Sequence, residues 1–193
     1  MSGVINDSRS AVVDYVESQS DVHIAYIYFN YKQWESQTAS RIYASLVAQL
    51  LNTVPVLQTH AETLYQKCDN GKKTPAAGEL FDVLTCLPSS YKIVLAFDAL
   101  DEASVDTRND LLSRFARLDK TSLLFFITSR PGITIRSIST RTKIENVTAQ
   151  TSDLKEYIRE HLQSDEVQTL LDDDSQNVVP EIEQNLISHA AGM

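Results

Sequence analysis

The chain alternates between two kinds of hydrophobic pattern. Three short apolar runs are rich in β-branched and aromatic residues, which is typical of strands in a buried sheet. Around them, apolar residues recur at three- and four-residue spacing, as amphipathic helices require. The predicted strands lie at 23–29, 91–97 and 123–128. Helices are predicted at about 8–19, 37–52, 55–68, 76–87, 106–118 and 152–163, with a last one starting at Pro180.

Strands that alternate with helices favour parallel pairing, because a crossover helix must return the chain to the same end of the sheet. We therefore expect an α/β fold in which helices flank a parallel sheet. The α/β core is predicted to span residues 1–150, with a short edge strand at 144–147. Residues 151–193 show helical patterns and are predicted to begin a helical region.

The second apolar run ends abruptly in the acidic segment Phe97-Asp98-Ala99-Leu100-Asp101-Glu102. Open α/β sheets bind ligands at the carboxyl ends of their strands. Asp98 is therefore predicted to hold Mg²⁺ through a water ligand, as Walker B acids do. Asp101 and Glu102 are predicted to act as catalytic groups that polarise an attacking water or accept its proton. The alternative is that these acids are solvated loop or helix-cap residues.

A second polar turn, Thr128-Ser129-Arg130-Pro131, follows the third apolar run. Arg130 offers a planar fork of donors that suits a γ-phosphate, and Ser129 is its neighbour in the predicted nucleotide site. Only one predicted helix separates the second and third strands, so their carboxyl ends are expected to be neighbours. The alternative is a plain polar turn with a surface arginine.

The phosphate-binding loop that should accompany these segments is absent from the sequence. Such a loop needs Gly-x-x-x-x-Gly-Lys-Ser/Thr between a strand and a helix. The nearest segment, Gly71-Lys72-Lys73-Thr74, lacks the first glycine and follows a helical pattern, so we interpret it as a solvated loop. The predicted sheet is thus of the P-loop NTPase type but incomplete, and Val94 and Leu124, or their neighbours, are expected to lack a packing and hydrogen-bonding partner.

Composition and the lengths of the apolar runs argue against two classes of partner, nucleic acids and membranes. The net charge of −9 and the pI of about 4.8 argue against nucleic-acid binding, which needs a basic surface. The two cysteines, Cys68 and Cys86, have no metal-ligand spacing. No apolar run approaches the length of a membrane span, and the N-terminus lacks a signal-peptide core. A cytoplasmic protein with no membrane or nucleic-acid partner is predicted.

The chain resembles a NACHT NTPase domain of the STAND class, as found in fungal NACHT–ankyrin, NACHT–WD40 and heterokaryon-incompatibility proteins. The resemblance extends from about residue 11 to 193, with Ala99 where the family often has glycine, and implies that the chain is cut at both ends. The matching segments are 25–32, 37–39, 46–51, 97–102, 126–131 and 153–158.

This resemblance implies Mg²⁺ and ATP or GTP as cofactors, with Asp98 on the metal side, Asp101 and Glu102 acting on water, and Arg130 as the sensor. It implies other NACHT chains, an effector domain, and ankyrin or WD40 repeats as partners. Three hypotheses stay open: a truncated module without independent NTPase activity, a weak or conditional ATP or GTP binder, and a non-enzymatic module that associates with relatives through an exposed sheet.

Overall fold

A computed structural model of the chain describes residues 11–118, 123–133, 143–147, 151–163 and 179–190. The chain divides into two compact units, Met1–Thr142 and Lys143–Met193. The first unit contains the sheet and all of the predicted site residues.

The sheet of the first unit is parallel, and its described strands follow the order β1-β2-β3. Strand β2 lies in the centre, so that Ile93 has His23 of β1 on one side and Leu123 of β3 on the other. These pairings confirm the α/β fold and the three predicted strands. The strands are β1 (Val22–Tyr28), β2 (Lys92–Asp98) and β3 (Leu123–Ile127).

The helices of this unit lie within about three residues of the predicted bounds. Pro55 occupies the N-cap position of α3, where its missing N–H is tolerated. The segment Gly71-Lys72-Lys73-Thr74 lies exposed in the loop after α3, as predicted. The helices are α1 (Ala11–Glu17), α2 (Ala39–Leu51), α3 (Val56–Lys67), α4 (Ala77–Thr85) and α5 (Val105–Phe115).

The main core lies on one face of the sheet. Alternate strand residues point to that face, among them Ala25, Leu95 and Phe125, and they join apolar side chains of α2, α4 and α5. Phe115 of α5 is the centre of an aromatic group, with its ring centroid 5.1 Å from that of Phe125 and 5.4 Å from that of Phe97. Close aromatic packing of this kind fixes α5 beneath β2 and β3.

The other face of the sheet is unevenly covered. Val94 of β2 is buried at 9% exposure, whereas Leu124 and Phe126 of β3 are 60% and 38% exposed. The expected loss of packing therefore falls on Leu124 and not on Val94. Val94 is protected because β2 has a strand on each side, whereas β3 is the last described strand of its sheet.

The second unit contains two described helices, α6 (Thr151–Leu162) and α7 (Val179–Ala190). They contact each other, and Arg159 Nε lies 2.9 Å from Glu183 Oε1. The predicted edge strand at 144–147 is wrong: the segment has no strand structure, and Ile144 and Val147 are 73% and 90% exposed. Its β-branched residues favour an extended chain, but no described strand pairs with them.

The chain shows no described helix that is both long enough and apolar enough to cross a membrane.

Candidate functional site

The predicted site residues meet at the carboxyl end of the sheet. Three turns converge there, one after each strand: residues 29–33 after β1, 98–102 after β2, and 128–131 after β3. Backbone hydrogen bonds join them, from Phe29 N–H to the carbonyl of Asp98 at 3.0 Å and from Leu100 N–H to the carbonyl of Thr128 at 3.0 Å. The turns therefore form one connected rim along the sheet.

Asp98 is the last residue of the central strand, and Thr128 holds it in place. The Thr128 hydroxyl donates to Asp98 Oδ1 and accepts the N–H of Ala99 at 2.9 Å. Because the amide N–H of Ala99 is a donor, the hydroxyl proton must point away from it and toward the carboxylate. One carboxylate oxygen of Asp98 is thus committed to Thr128, while Oδ2 has no hydrogen bond from any described residue.

The sequence reasoning assigned no role to Thr128. Its position was the available signal for a role, because Thr128 is the first polar residue after β3, and β3 lies next to β2. A short polar side chain at that place can reach across to the next strand end, because both chains leave the sheet at the same edge.

Ala99 turns the chain sharply at the end of β2. Its φ of 53° and ψ of 47° lie in the left-handed region, which a residue with a Cβ atom adopts at a cost of about 1 kcal/mol. The bond from its N–H to Thr128 helps to offset that cost. The turn starts a short 3-10 helix, Leu100–Glu102, and this helix points the two remaining acids toward the neighbouring turns.

Asp101 and Glu102 link the turn after β2 to the turns after β3 and β1. Asp101 Oδ1 accepts the backbone N–H of Arg130 at 3.0 Å, and Glu102 Oε2 accepts the backbone N–H of Tyr31 at 2.9 Å. Each of these carboxylates therefore has one oxygen bound to a neighbouring turn. In the structure the two acids hold loops in place, and each has a single oxygen left for other contacts.

Arg130 lies above these two acids. Its Nε is 3.5 Å from Asp101 Oδ2, and its Nη2 is 3.8 Å from Glu102 Oε1, while its side chain is 80% exposed. Ion pairs with an exposed partner are weak, so the guanidinium can leave the acids at little cost. Ser129 points elsewhere, because its hydroxyl donates to the carbonyl of Arg130 at 3.1 Å.

The fit of a metal ion depends mainly on Asp98. The described residues contain no group of three or more His, Cys, Asp or Glu side chains that could hold a metal ion. The rim suits Mg²⁺ even so, because Mg²⁺ is commonly held by one or two carboxylates and otherwise by water and substrate phosphates. Asp98 Oδ2 is the carboxylate oxygen available for that role.

Comparison with known protein families gives a match over most of the first unit. A model of the family described as nephrocystin 3, N-terminal, matches residues 9–130 of the 193. This span contains the three strands and ends at Arg130, so it includes Asp98, Asp101, Glu102, Thr128 and Arg130 of the rim. Searches of the curated proteins and of the solved structures found no match. Since the matched span exceeds half of its length, the chain belongs to the nephrocystin 3 N-terminal family.

Proposed function

We propose that the chain is a partial nucleoside triphosphatase module of the NACHT type, which does not hydrolyse nucleotide by itself. The observation that carries this proposal is Asp98, placed at the carboxyl end of the central parallel strand and oriented by the hydroxyl of Thr128 on the next strand. An oriented carboxylate at this point of a parallel sheet is suited to a metal–nucleotide ligand. The NACHT resemblance of the surrounding segments supports the same conclusion.

Each rim residue has a distinct role in this proposal. Asp98 Oδ2 would bind Mg²⁺ or its water, and the metal would neutralise charge on the phosphates of ATP or GTP. Arg130 would leave its two acids and contact a phosphate, since its exposed guanidinium is free to move and binds phosphate with two parallel hydrogen bonds. Ser129 would lie beside the bound nucleotide together with Arg130, because the two residues share one turn.

Two observations support the absence of independent activity. Asp101 and Glu102 each give one oxygen to a backbone N–H of a neighbouring turn, so each acid holds a loop in place and at most one of its oxygens can contact an attacking water. The 193 residues also lack a Gly-x-x-x-x-Gly-Lys-Ser/Thr loop. Losing several charge-assisted hydrogen bonds, each worth about 1.5–3 kcal/mol, weakens phosphate binding by several orders of magnitude.

The test is calorimetric titration of the purified chain with ATP and with GTP, each with and without Mg²⁺, together with a phosphate-release assay. The informative variant is Asp98→Asn, which keeps the size of the side chain and removes its charge. Asp106→Asn is the matched control, because Asp106 is an exposed acid in the first turn of α5. We expect no phosphate release and no saturation at micromolar nucleotide.

Other outcomes decide between the alternatives. Saturable, Mg²⁺-dependent binding that Asp98→Asn abolishes and Asp106→Asn preserves would replace the proposal with the weak or conditional binder. Sustained phosphate release by the unaltered chain would overturn it. Binding that both variants retain would show that the rim is not the nucleotide site.

A role in protein association is the second candidate, and the exposed side chains of β3 favour it. Other NACHT-type chains, effector domains and ankyrin or WD40 repeats are the partners that we propose for such a module, and the cytoplasm is the proposed location.

A further inference from the structure

The loop between α3 and α4 contains a tight turn with an Asn-Gly pair at its centre. Lys72 donates its N–H to the carbonyl of Asp69 at 3.2 Å, which closes a four-residue turn over 69–72. Its central residues, Asn70 and Gly71, have φ angles of 53° and 83°. Positive φ at both central positions defines a type I′ turn, for which Asn-Gly is a preferred sequence. All four residues are exposed, so water reaches the turn.

An asparagine followed by glycine carries both an electrophile and a nucleophile. The Gly71 nitrogen can attack the Cγ carbon of Asn70, which forms a C–N bond and closes a five-membered imide ring. The side-chain nitrogen leaves as ammonia and takes up the proton that the backbone nitrogen loses. One water molecule then opens the ring at either carbonyl carbon and leaves aspartate or isoaspartate at position 70. Glycine favours the attack because it has no Cβ atom to crowd the nitrogen.

The reacting groups of Asn70 and Gly71 have no partners in the part of the chain that the structure describes. Neither the Asn70 side-chain amide nor the Gly71 N–H makes a hydrogen bond to a described residue. Asn30 provides the contrast within the same chain. Its side chain accepts the N–H of Lys32 at 2.9 Å, and the next backbone nitrogen, that of Tyr31, donates to Glu102. Both reacting groups are thus held at Asn30, and neither is held at Asn70.

The backbone of the turn keeps the reacting groups of Asn70 and Gly71 apart. In a type I′ turn the first central residue has ψ of about 30°, so the Gly71 nitrogen lies nearly opposite the Asn70 Cβ atom about the Cα–C bond. Ring closure needs these two atoms on the same side of that bond. Asn70 must therefore rotate before it reacts, and this rotation breaks the hydrogen bond between Asp69 and Lys72.

Further contacts resist this rotation. Lys73 donates its N–H to the carbonyl of Cys68 at 3.0 Å, which closes the loop around the turn. The ring of Tyr65 lies against Gly71, since a Cβ atom at Gly71 would be 2.8 Å from Tyr65 Cε2. An exposed ion pair within the turn, at 3.7 Å, adds little. Tyr65 therefore supplies the side-chain contact that holds Gly71 in place.

We propose that Asn70 is a site of spontaneous deamidation, and that the turn and the Tyr65 ring set its rate. The reagent is water, and the products are ammonia and an acidic residue at position 70. Isoaspartate adds a methylene group to the backbone and so removes the type I′ geometry, whereas aspartate places a new charge beside Asp69. This inference goes beyond the proposed function and does not depend on nucleotide binding.

The first test follows the full chain at pH 8 by mass spectrometry of its peptides. We expect the peptide that contains Asn70 to gain the mass difference between OH and NH₂, in two products that chromatography separates, while the Asn30 peptide of the same sample stays unchanged. Unfolding in urea should raise the rate at Asn70 several-fold, because the turn is lost. An Asn70 peptide that lasts as long as the Asn30 peptide overturns the proposal, as does a rate that urea leaves unchanged.

The second test compares Tyr65→Ala with Tyr65→Phe. Tyr65→Phe keeps the ring against Gly71 and is the matched control, whereas Tyr65→Ala removes the ring. Since Tyr65 is 55% exposed, neither change disturbs the core, and circular dichroism checks that both variants are folded. We expect several-fold faster deamidation in Tyr65→Ala and an unchanged rate in Tyr65→Phe. Equal rates in the two variants would mean that the ring does not hold the turn, contrary to the proposal.

Discussion

The two edges of the sheet differ in how their backbone groups are satisfied. At β1, Gln49 presents a carbonyl and an N–H₂ group to one residue, Tyr26, much as the peptide group of a neighbouring strand would. At β3, the outward backbone groups lie beside Leu124 and Phe126 with no such cover among the described residues. An amide side chain on a packed helix can therefore end a sheet, whereas an apolar strand leaves it open to extension.

The two faces of β3 also differ, in how far their side chains are buried. Phe125 faces the core, with its ring centroid 5.1 Å from that of Phe115, whereas Phe126 on the other face is 38% exposed. We expect Phe125→Ala to lower the free energy of unfolding by about 3 kcal/mol, because it removes buried apolar surface and leaves a cavity beneath the strand. Denaturant unfolding, followed by circular dichroism, measures this change.

Phe126→Ala is the control for that experiment, since it removes the same group from the adjacent residue. We expect a change of about 0.5 kcal/mol or less at protein concentrations where the chain is monomeric. A large loss of stability in Phe126→Ala would mean that this face is covered, and the contrast between the faces of β3 would then be wrong.

The protected edge can be opened at Gln49. Gln49→Leu keeps most of the side-chain volume and leaves the N–H and C=O of Tyr26 without their partner, at a cost of about 1–2 kcal/mol. We also expect the variant to gain association through β1, because its edge then resembles that of β3. Denaturant unfolding and sedimentation velocity measure the two effects, and a variant that stays as stable as the unaltered chain would show that Gln49 does not protect the edge.

Gln49→Glu tests the same contact by pH. An ionised carboxylate can still accept the N–H of Tyr26, but its second oxygen opposes the carbonyl, so the neutral acid is favoured in the fold. The pKa of the new side chain is then raised above its unfolded value of about 4.3, and stability relative to the unaltered chain is lost as pH rises through that raised pKa. We expect the deficit to be smaller at pH 4 than at pH 7.

Much of the fold could be predicted, because the strands are continuous apolar runs and the helices show clear periodicity. The acidic segment was recognisable for a related reason: Asp98 is the first acidic residue after such a run. The positions of Asp101 and Glu102 were also evident, but their contacts were not. Those contacts depend on the left-handed turn at Ala99, which brings the two acids to backbone N–H groups of other turns.

The side-chain contacts at the edges of the sheet could not be predicted, because they depend on pairs of residues far apart in sequence. Gln49 resembles any polar residue on a helix until α2 is placed beside β1, where it meets Tyr26. Thr128 likewise gains its role only when β3 lies next to β2. Periodicity indicates which face of an element is buried, but side chains that satisfy another element's backbone leave no periodic pattern.

The smallest expected effect concerns the helices behind the two edges. Tyr43 of α2 donates to Asp110 Oδ2 of α5 at 2.9 Å, and so connects the helix that carries Gln49 to the helix that packs beneath β3. Asp110 keeps a second partner, because Arg114 Nε lies 2.8 Å from its other oxygen. We therefore expect Tyr43→Phe to cost only about 1 kcal/mol at neutral pH.

The pH dependence of this variant gives the sharper test. Burial and the hydrogen bond to Asp110 raise the pKa of Tyr43, so the fold favours the neutral phenol. The stability that Tyr43 supplies is complete below the unfolded tyrosine pKa of about 10 and falls by about 1.4 kcal/mol per pH unit above it. The gap between the unaltered chain and Tyr43→Phe should then close near pH 11, whereas Tyr65→Phe, at a 55% exposed tyrosine, should stay close to the unaltered chain throughout. A gap that remains constant up to pH 11 would mean that the phenol is not held neutral between the two helices, and the connection between the two edges would be lost.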